Sequence, residues 1–233
     1  MYSKTAEFYD AIHSFKDYHT EAFLVQKLIR QHGNGGKRLL EGACGTGGHL
    51  KYFTDFQAEA FDLDPNMVEI ARKNAPQARV FVGDLTDFEV GKKFDVILCL
   101  FSSIGYVQTL ERLQATLNHF KRHLAPGGVV LVEPWLTPQE FVTDPPSVHV
   151  REVMLRNIKV CRMHIPERRG NQSIIKFHYM IGTPQGIDFH QEEHVLGLFS
   201  PAEMQQAFTK AGLKAKFEPY SFMSRGIWVA HHS

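Results

Sequence analysis

Apolar positions along this chain follow two rhythms, which change near residue 135. In the first part, short apolar runs alternate with stretches of helical spacing. Runs at 37–40, 58–63, 79–83, 94–101 and 129–133 predict five strands, and the run 94–101 is continuous, as in a strand buried on both faces. Helices are predicted between them. They cover 48–55, 65–74 with Asp64 as N-cap and Pro65 at the first position, and the amphipathic stretch 110–124. Gly127 and Gly128 predict the turn into the fifth strand. Such alternation means an α/β fold with a doubly wound, mostly parallel sheet. Before it, residues 5–32 carry apolar residues at helical spacing, among them Ala22, Phe23, Leu24, Leu28 and Ile29, and predict helices that cover a site. Tyr9, His13, Tyr18 and His19 are the polar-tipped members of that cover.

After residue 135, the stretch from about 148 to 198 reads as several β-segments with turn signals at 169–171 and 184–186. This predicts an antiparallel β-insertion over the carboxyl ends of the main sheet, where a substrate binds in such folds. A helix at 201–211, with Ser200 as N-cap and Gly212 as its stop, leads to last strands at 213–220 and 227–231, which bring the sheet to seven. The expectation is one domain: a helical cover (1–36), a core (37–135), the insertion (146–198) and a C-terminal part (199–233).

Composition narrows the function without naming it. The 233 residues, 43% hydrophobic and 22% charged, suit a globular domain with a sizeable core. A formal net charge of +1 gives no electrostatic footprint for nucleic acid or an anionic membrane. No apolar run approaches the ~20 residues of a membrane helix, and the expected location is the cytoplasm. Cys44, Cys99 and Cys161 are odd in number and widely spaced, as for reduced structural thiols.

The chemistry gathers around 39–50, LLEGACGTGGHL. Gly42, Gly45 and Gly47 let the backbone turn sharply and approach a ligand, and Ala43 and Thr46 keep the space open. The spacing Gly-x-x-Gly-x-Gly is not that of dinucleotide folds, and the acidic Glu41 precedes the first glycine. About 20 residues on, Asp62 ends the second strand, where a carboxylate accepts both hydroxyls of a ribose. Asp84 follows the third. Three acids at three successive strand ends describe a site for a cationic nucleoside without phosphate, and S-adenosylmethionine is that ligand.

Here the chain resembles the seven-stranded Rossmann-like S-adenosylmethionine-dependent methyltransferases, through EGACGTG, FDLDPNMVEIAR, GDLTDF, KFDVILCLFSSIGYV and LAPGGVVLVEPW. KDYHTEA, FSSIGYV, GGVVLVEPWLTPQEF and SRGIWVA are similar to the N,N-dimethyltransferases that finish dTDP-linked amino sugars. That resemblance implies a small-molecule acceptor and cofactor contacts from Glu41 and the 42–47 backbone, including Ala43, to the methionine part. It implies Asp62 with Leu63 at the ribose and Asp84 with Leu85 at adenine, with Tyr18 and Phe101 closing the pocket. Tyr106, at a His-or-Tyr position of the family, would orient the amine, with Tyr9 a second catalytic candidate in the cover. For the acceptor it implies Ser103, Glu133 against a hydroxyl or the amine, Trp135 as a stacking surface, His194 from the insertion, and Arg225 on a diphosphate. Arg151, Arg168 and His178 are weaker candidates for that anion.

No metal is expected. The segment 190–194 fits the H-x-x-E-H pattern of inverted zinc peptidases, but it leads into VLGLFS, which reads as strand. Rival readings are a methyltransferase of the same fold for another amine, carboxylate or hydroxyl, and a cofactor-binding protein without catalysis. The edge of the β-insertion is the expected place for a homodimer contact.

Overall fold

The computed structural model describes residues 8–155, 157–219 and 225–233. Residues 1–7 of the expected cover, Tyr220 of the expected strand 213–220 and Ser224 of SRGIWVA lie outside the described residues. A seven-stranded sheet organises the rest. It contains β1 (Arg38–Gly42), β2 (Gln57–Asp62), β3 (Arg79–Val82), β4 (Phe94–Cys99), β5 (Leu124–Val132), β11 (Leu213–Glu218) and β12 (Ile227–His232), in the order β11-β12-β5-β4-β1-β2-β3. β1 to β5 pair in parallel, while β12 is antiparallel to both β5 and β11. The order reverses between β1 and β4, and open α/β sheets take ligands at the carboxyl ends beside such a reversal.

Period-two alternation divides the core into two layers. Leu39, Val96 and Leu98 face α2 (Tyr18–His32) and α3 (Pro65–Asn74). Leu40, Ile97 and Cys99 face α4 (Leu110–His123) and α5 (Pro201–Lys210). Every residue of β4 is buried, as its apolar run predicts. The helix starts follow the capping residues: Asp64 accepts from the Asn66 N–H, and Ser200 and Glu203 form a capping box.

Three local expectations are corrected. The stretch 48–55 forms only a 3-10 turn, Leu50–Tyr52, since glycines at 47 and 48 disfavour a helix start and the Tyr18 ring fills the space above Gly48. No separate turn precedes the fifth strand. Residues 125–128 form a bulge inside β5, so that Phe94 pairs with Leu124 but Val96 with Val129, and Gly127 takes φ +70°. Strand four stops at Cys99, because Phe101 and Ser102 turn the chain with φ of +51° and +58°.

The insertion is a second, antiparallel sheet of β6 (His149–Leu155), β7 (Ile158–His164), β8 (Pro166–Arg169), β9 (Gln172–Thr183) and β10 (Gly186–Gly197), ordered β10-β9-β7-β6 with β8 on β9. Its inner face, with Val160, Phe177, Tyr179, Ile181 and Leu196, packs on Phe8 and on Ile12 of α1 (Tyr9–Ile12). Its outer face exposes Val150, Met154, Met163, Met180, Ile187 and Phe189. The H-x-x-E-H segment lies in β10, so His190, Glu192 and His194 share one strand face and no helical pair forms. Among the described residues no helix is long and apolar enough to cross a membrane.

Candidate active site

A cavity of about 300 Å³ opens at the reversal between β1 and β4, roofed by the N-terminal helices and the insertion. Its floor comes from the glycine loop. Gly45 takes φ +55°, and its N–H donates to Asp62 Oδ2 at 2.8 Å, while Asp62 Oδ1 accepts from the Asp64 N–H at 3.0 Å. The loop and the end of β2 are thus held as one piece, with a carboxylate at the cavity. Burial raises the Asp62 carboxyl above its ordinary range despite these donors. Glu41 is 2% exposed, its Oε2 is buried with no hydrogen-bond partner among the described residues, and burial with the nearby Asp62 charge pushes its carboxyl up to about 8. An unpartnered buried carboxylate is costly in an empty site and favourable beside a cation. The acids therefore fit a sulfonium and ammonium ligand of the size of S-adenosylmethionine.

The neighbouring expectations divide. Ala43, with φ +55°, Leu63, Asp84, Leu85, Phe101 and Tyr18 all line the cavity. Asp84 is partly engaged elsewhere: its Oδ1 accepts from the Thr86 N–H and hydroxyl at 2.8 Å, and Arg112 lies 3.5 Å from its Oδ2. Gly42 and Gly47 lie outside the lining. A Cβ at Gly42 would come 2.7 Å from Leu85, and Gly47, at φ +76°, packs on Ala71, so both shape the loop from behind.

The cover is tied to this floor. Asp10 on α1 accepts from the Thr46 hydroxyl at 2.5 Å and from Asn74 at 3.1 Å. Between α1 and α2, Lys16 reaches Glu21 at 2.7 Å, and Glu21 reaches His49 Nε2 at 2.6 Å. Lys16 also stands over the Phe101 ring, 3.9 Å from its centroid. Tyr9 is nearly buried against His13 and lines the cavity.

On the acceptor side, Ser103, Tyr106, Trp135, His194 and Arg225 line the same cavity. The Tyr106 hydroxyl is hydrogen-bonded to His194 Nδ1 at 2.8 Å, which joins the loop after β4 to the insertion. Arg225 donates to Ser102 Oγ at 2.9 Å and lies 4.6 Å over the Trp135 ring, so one face of that ring is already covered. Trp135 also donates to Ser173 Oγ.

Four expected acceptor contacts do not line the cavity. Glu133 is fully buried behind the cavity wall, where its Oε2 accepts from the Phe101 N–H at 2.6 Å. It fixes the left-handed turn at Phe101 and does not line the site; burial pushes its carboxyl up to about 7. His178 lies on the outer face of the insertion, opposite Gln191, while its neighbours Phe177 and Tyr179 point inward. Arg151 stacks on Phe15, and Arg168 bonds the Pro138 and Gly170 carbonyls; neither lines the cavity. Arg112 and Arg162, which sequence reading missed, do, as does His13, which it placed in the cover without a role. Arg162 lies 4.2 Å over the Phe177 ring, with its buried Nε unpaired among the described residues. Alternation along β7 was the one signal for it, since it shares a face with the buried Val160.

Comparison with known proteins places this geometry. Residues 39–128 match a methyltransferase domain. The chain is 38% identical over 229 residues to a dTDP-3-amino-3,6-dideoxy-alpha-D-glucopyranose N,N-dimethyltransferase of Streptomyces fradiae, covering 96% of this chain and 89% of the relative. The crystal structure of Streptomyces venezuelae DesVI superposes with a TM-score of 0.91 at 35% identity over 99% of both chains. SAM-bound CalS10, an amino pentose methyltransferase from Micromonospora echinaspora, superposes with a TM-score of 0.84 at 32% identity over 94% of this chain and 92% of its own. The chain belongs to this family of S-adenosylmethionine-dependent methyltransferases, and its cofactor is S-adenosylmethionine.

Proposed function

We propose that this enzyme N-methylates a dTDP-linked 3-amino-3,6-dideoxyhexose, adding two methyl groups in turn. The observation that carries the reading is one cavity lined both by the acids Glu41 and Asp62 and by the Arg225–Trp135 pair. The cofactor supplies a methyl carbon on a positive sulfur, already activated towards an amine lone pair. What remains for the chain is to hold the two reactants in line and to keep water out. Glu41 and the glycine loop hold the cationic methionine end, Asp62 the ribose hydroxyls, and Asp84, Leu63 and Leu85 the adenine. Tyr106, steadied by His194, orients the amine with Tyr9 above it, and Ser103 and Trp135 border the sugar. Arg225 meets the diphosphate. Its guanidinium is buried enough that desolvation lowers its pKa, a cost that an anionic partner offsets.

Arg225→Ala is expected to raise the KM for a dTDP-linked amino sugar by about 10- to 100-fold, the value of one charge-assisted hydrogen bond, with a smaller change in kcat. Thymidine diphosphate should inhibit the wild type competitively and the variant weakly. Equal inhibition of both would remove Arg225 from the nucleotide site.

The outer face of the insertion supports a homodimer. Met180 stands opposite Phe189 and Val150 opposite Met163, while Glu152 and Lys159 on the same face can pair across a two-fold axis. Light scattering should give about twice the 26.6 kDa chain mass, reduced towards one chain by Phe189→Glu; a wild-type monomer at micromolar concentration contradicts it. Three free cysteines fit a cytoplasmic setting.

A further inference from the structure

We infer that His13 removes the proton from the acceptor amine and passes it to solvent through the N-terminal cover. The inference rests on the amine-acceptor reading above. It begins with the tautomer. His13 Nδ1 lies 2.9 Å from the carbonyl oxygen of Tyr9, one turn earlier at the end of α1. A carbonyl only accepts, so Nδ1 carries the hydrogen and Nε2 carries the lone pair.

Position gives that lone pair a use. The imidazole packs on Tyr9 at 4.2 Å and edge-on to Phe101 at 5.6 Å, both of which flank the cavity that holds the reactants. It also borders a separate polar crevice lined by Asp10, Ser14, Lys16, Asp17, His19 and Lys51. Among the described residues only Tyr18 and Gly48 share both walls with it. Burial raises the Tyr18 phenol further, and glycine has no side chain, so neither can carry a proton near neutrality. His13 is the titratable group that joins inside to outside.

An amine similar to lysine, with a pKa of about 10, reaches the site protonated at neutral pH and cannot attack until that proton leaves. In the step assigned to His13, the N–H bond breaks, its electron pair stays on the amine nitrogen, and the proton bonds to Nε2. The imidazolium then loses the Nε2 proton to water at the edge of the ring and returns to the neutral Nδ1–H tautomer. Charges around the ring favour a brief stay: Lys16 after α1, Arg162 on β7 and Arg151 on β6 are all cationic, and with burial as the larger cause they hold the imidazole down to about 4. His13 is thus unprotonated at the start of each turnover. Transfer from the amine is uphill by roughly six pKa units, a population near one in a million. The Tyr106 hydroxyl, bonded to His194, leaves the proton-accepting role open.

The test is a pH profile of kcat/KM from about pH 6.5 to about 9.5 for wild type and His13→Asn, which keeps a donor for the Tyr9 carbonyl but removes Nε2. The variant should be slower by about a hundredfold near pH 7, with the gap closing to a few-fold at the alkaline end, where more amine arrives neutral. Exogenous imidazole should restore part of the rate of His13→Ala at neutral pH. Imidazole nitrogen resonances of the cofactor-free protein should show the Nδ1–H tautomer at His13 at neutral pH. A loss of the same size at every pH marks a packing role and overturns the inference, as does a wild-type profile in the Asn variant or an Nε2–H tautomer. A wild type that leaves the amino sugar unmodified strikes the acceptor reading instead, and is seen before any variant is compared.

Discussion

Asp62→Ala is expected to weaken S-adenosylmethionine binding by at least about a hundredfold and to abolish measurable turnover at ordinary cofactor concentrations. The carboxylate accepts two backbone N–H groups, from Gly45 and Asp64, which places its remaining lone pairs at the cavity. Hydrogen bonds to a charged group contribute about 1.5–3 kcal/mol each, so two ribose hydroxyls account for roughly 3–6 kcal/mol. The substitution also releases the Gly45 N–H and with it the left-handed turn of the loop. Calorimetric titration with S-adenosylhomocysteine separates the two contributions, since Asp62→Asn keeps one acceptor oxygen and should recover part of the affinity. A dissociation constant within tenfold of wild type for the alanine variant would remove Asp62 from the ribose site.

Cofactor binding should also release close to one proton near pH 7, and affinity should climb as pH rises towards 8. The reason is Glu41. In the free protein its carboxyl titrates at about 8, because burial and the Asp62 charge both oppose ionisation. A cation beside it selects the carboxylate, so the proton must leave, and linkage makes affinity rise by up to about tenfold per pH unit below that value. The sign for stability is opposite. A folded-state pKa raised from 4.5 to about 8 contributes stability that is fully present below the unfolded value and is lost as pH rises through 8. Glu133, at about 7, adds a change of the same sign. The free enzyme should therefore melt at lower temperature as pH rises from about 6 to about 9, while its stabilisation by cofactor grows. Binding enthalpies in buffers of different ionisation heat count the proton, and Glu41→Gln should remove it together with most of the affinity. Buffer-independent enthalpies near pH 7 would show that Glu41 is ionised before the cofactor arrives.

These two predictions rest on the part of the site that is local in sequence. Glu41, Gly45 and Asp62 are strand ends and the turn between them, and the parallel sheet brings such ends side by side by rule. Glu133 was legible as a strand-end acid but not in its direction: the left-handed turn at Phe101 and Ser102, made without a glycine, points an N–H at it and closes it behind the wall. His178 was misplaced by one step of strand parity, although the alternation of Lys176, His178 and Met180 with the buried Phe177, Tyr179 and Ile181 assigns it to the outer face. Arg112 and Arg162 converge from α4 and β7, and contact between elements so far apart in the chain leaves no local pattern, whereas His13 was legible as part of the cover but not in its role. The glycine pair at 127–128 was a breaker signal correctly seen, but a bulge uses the same residues as a turn.

The central claim is that the acid-lined and arginine-lined halves of one cavity bring a methyl donor and a nucleotide-linked amine together. Product mass after incubation with S-adenosylmethionine and a dTDP-linked 3-amino-3,6-dideoxyhexose tests it most directly, with the 4-amino and hydroxyl analogues alongside. A gain of two methyl masses on the 3-amino sugar, passing through a gain of one and absent from the hydroxyl analogue, is the predicted result. An unmodified amino sugar in the presence of bound cofactor, or equal methylation of the hydroxyl analogue, would contradict it.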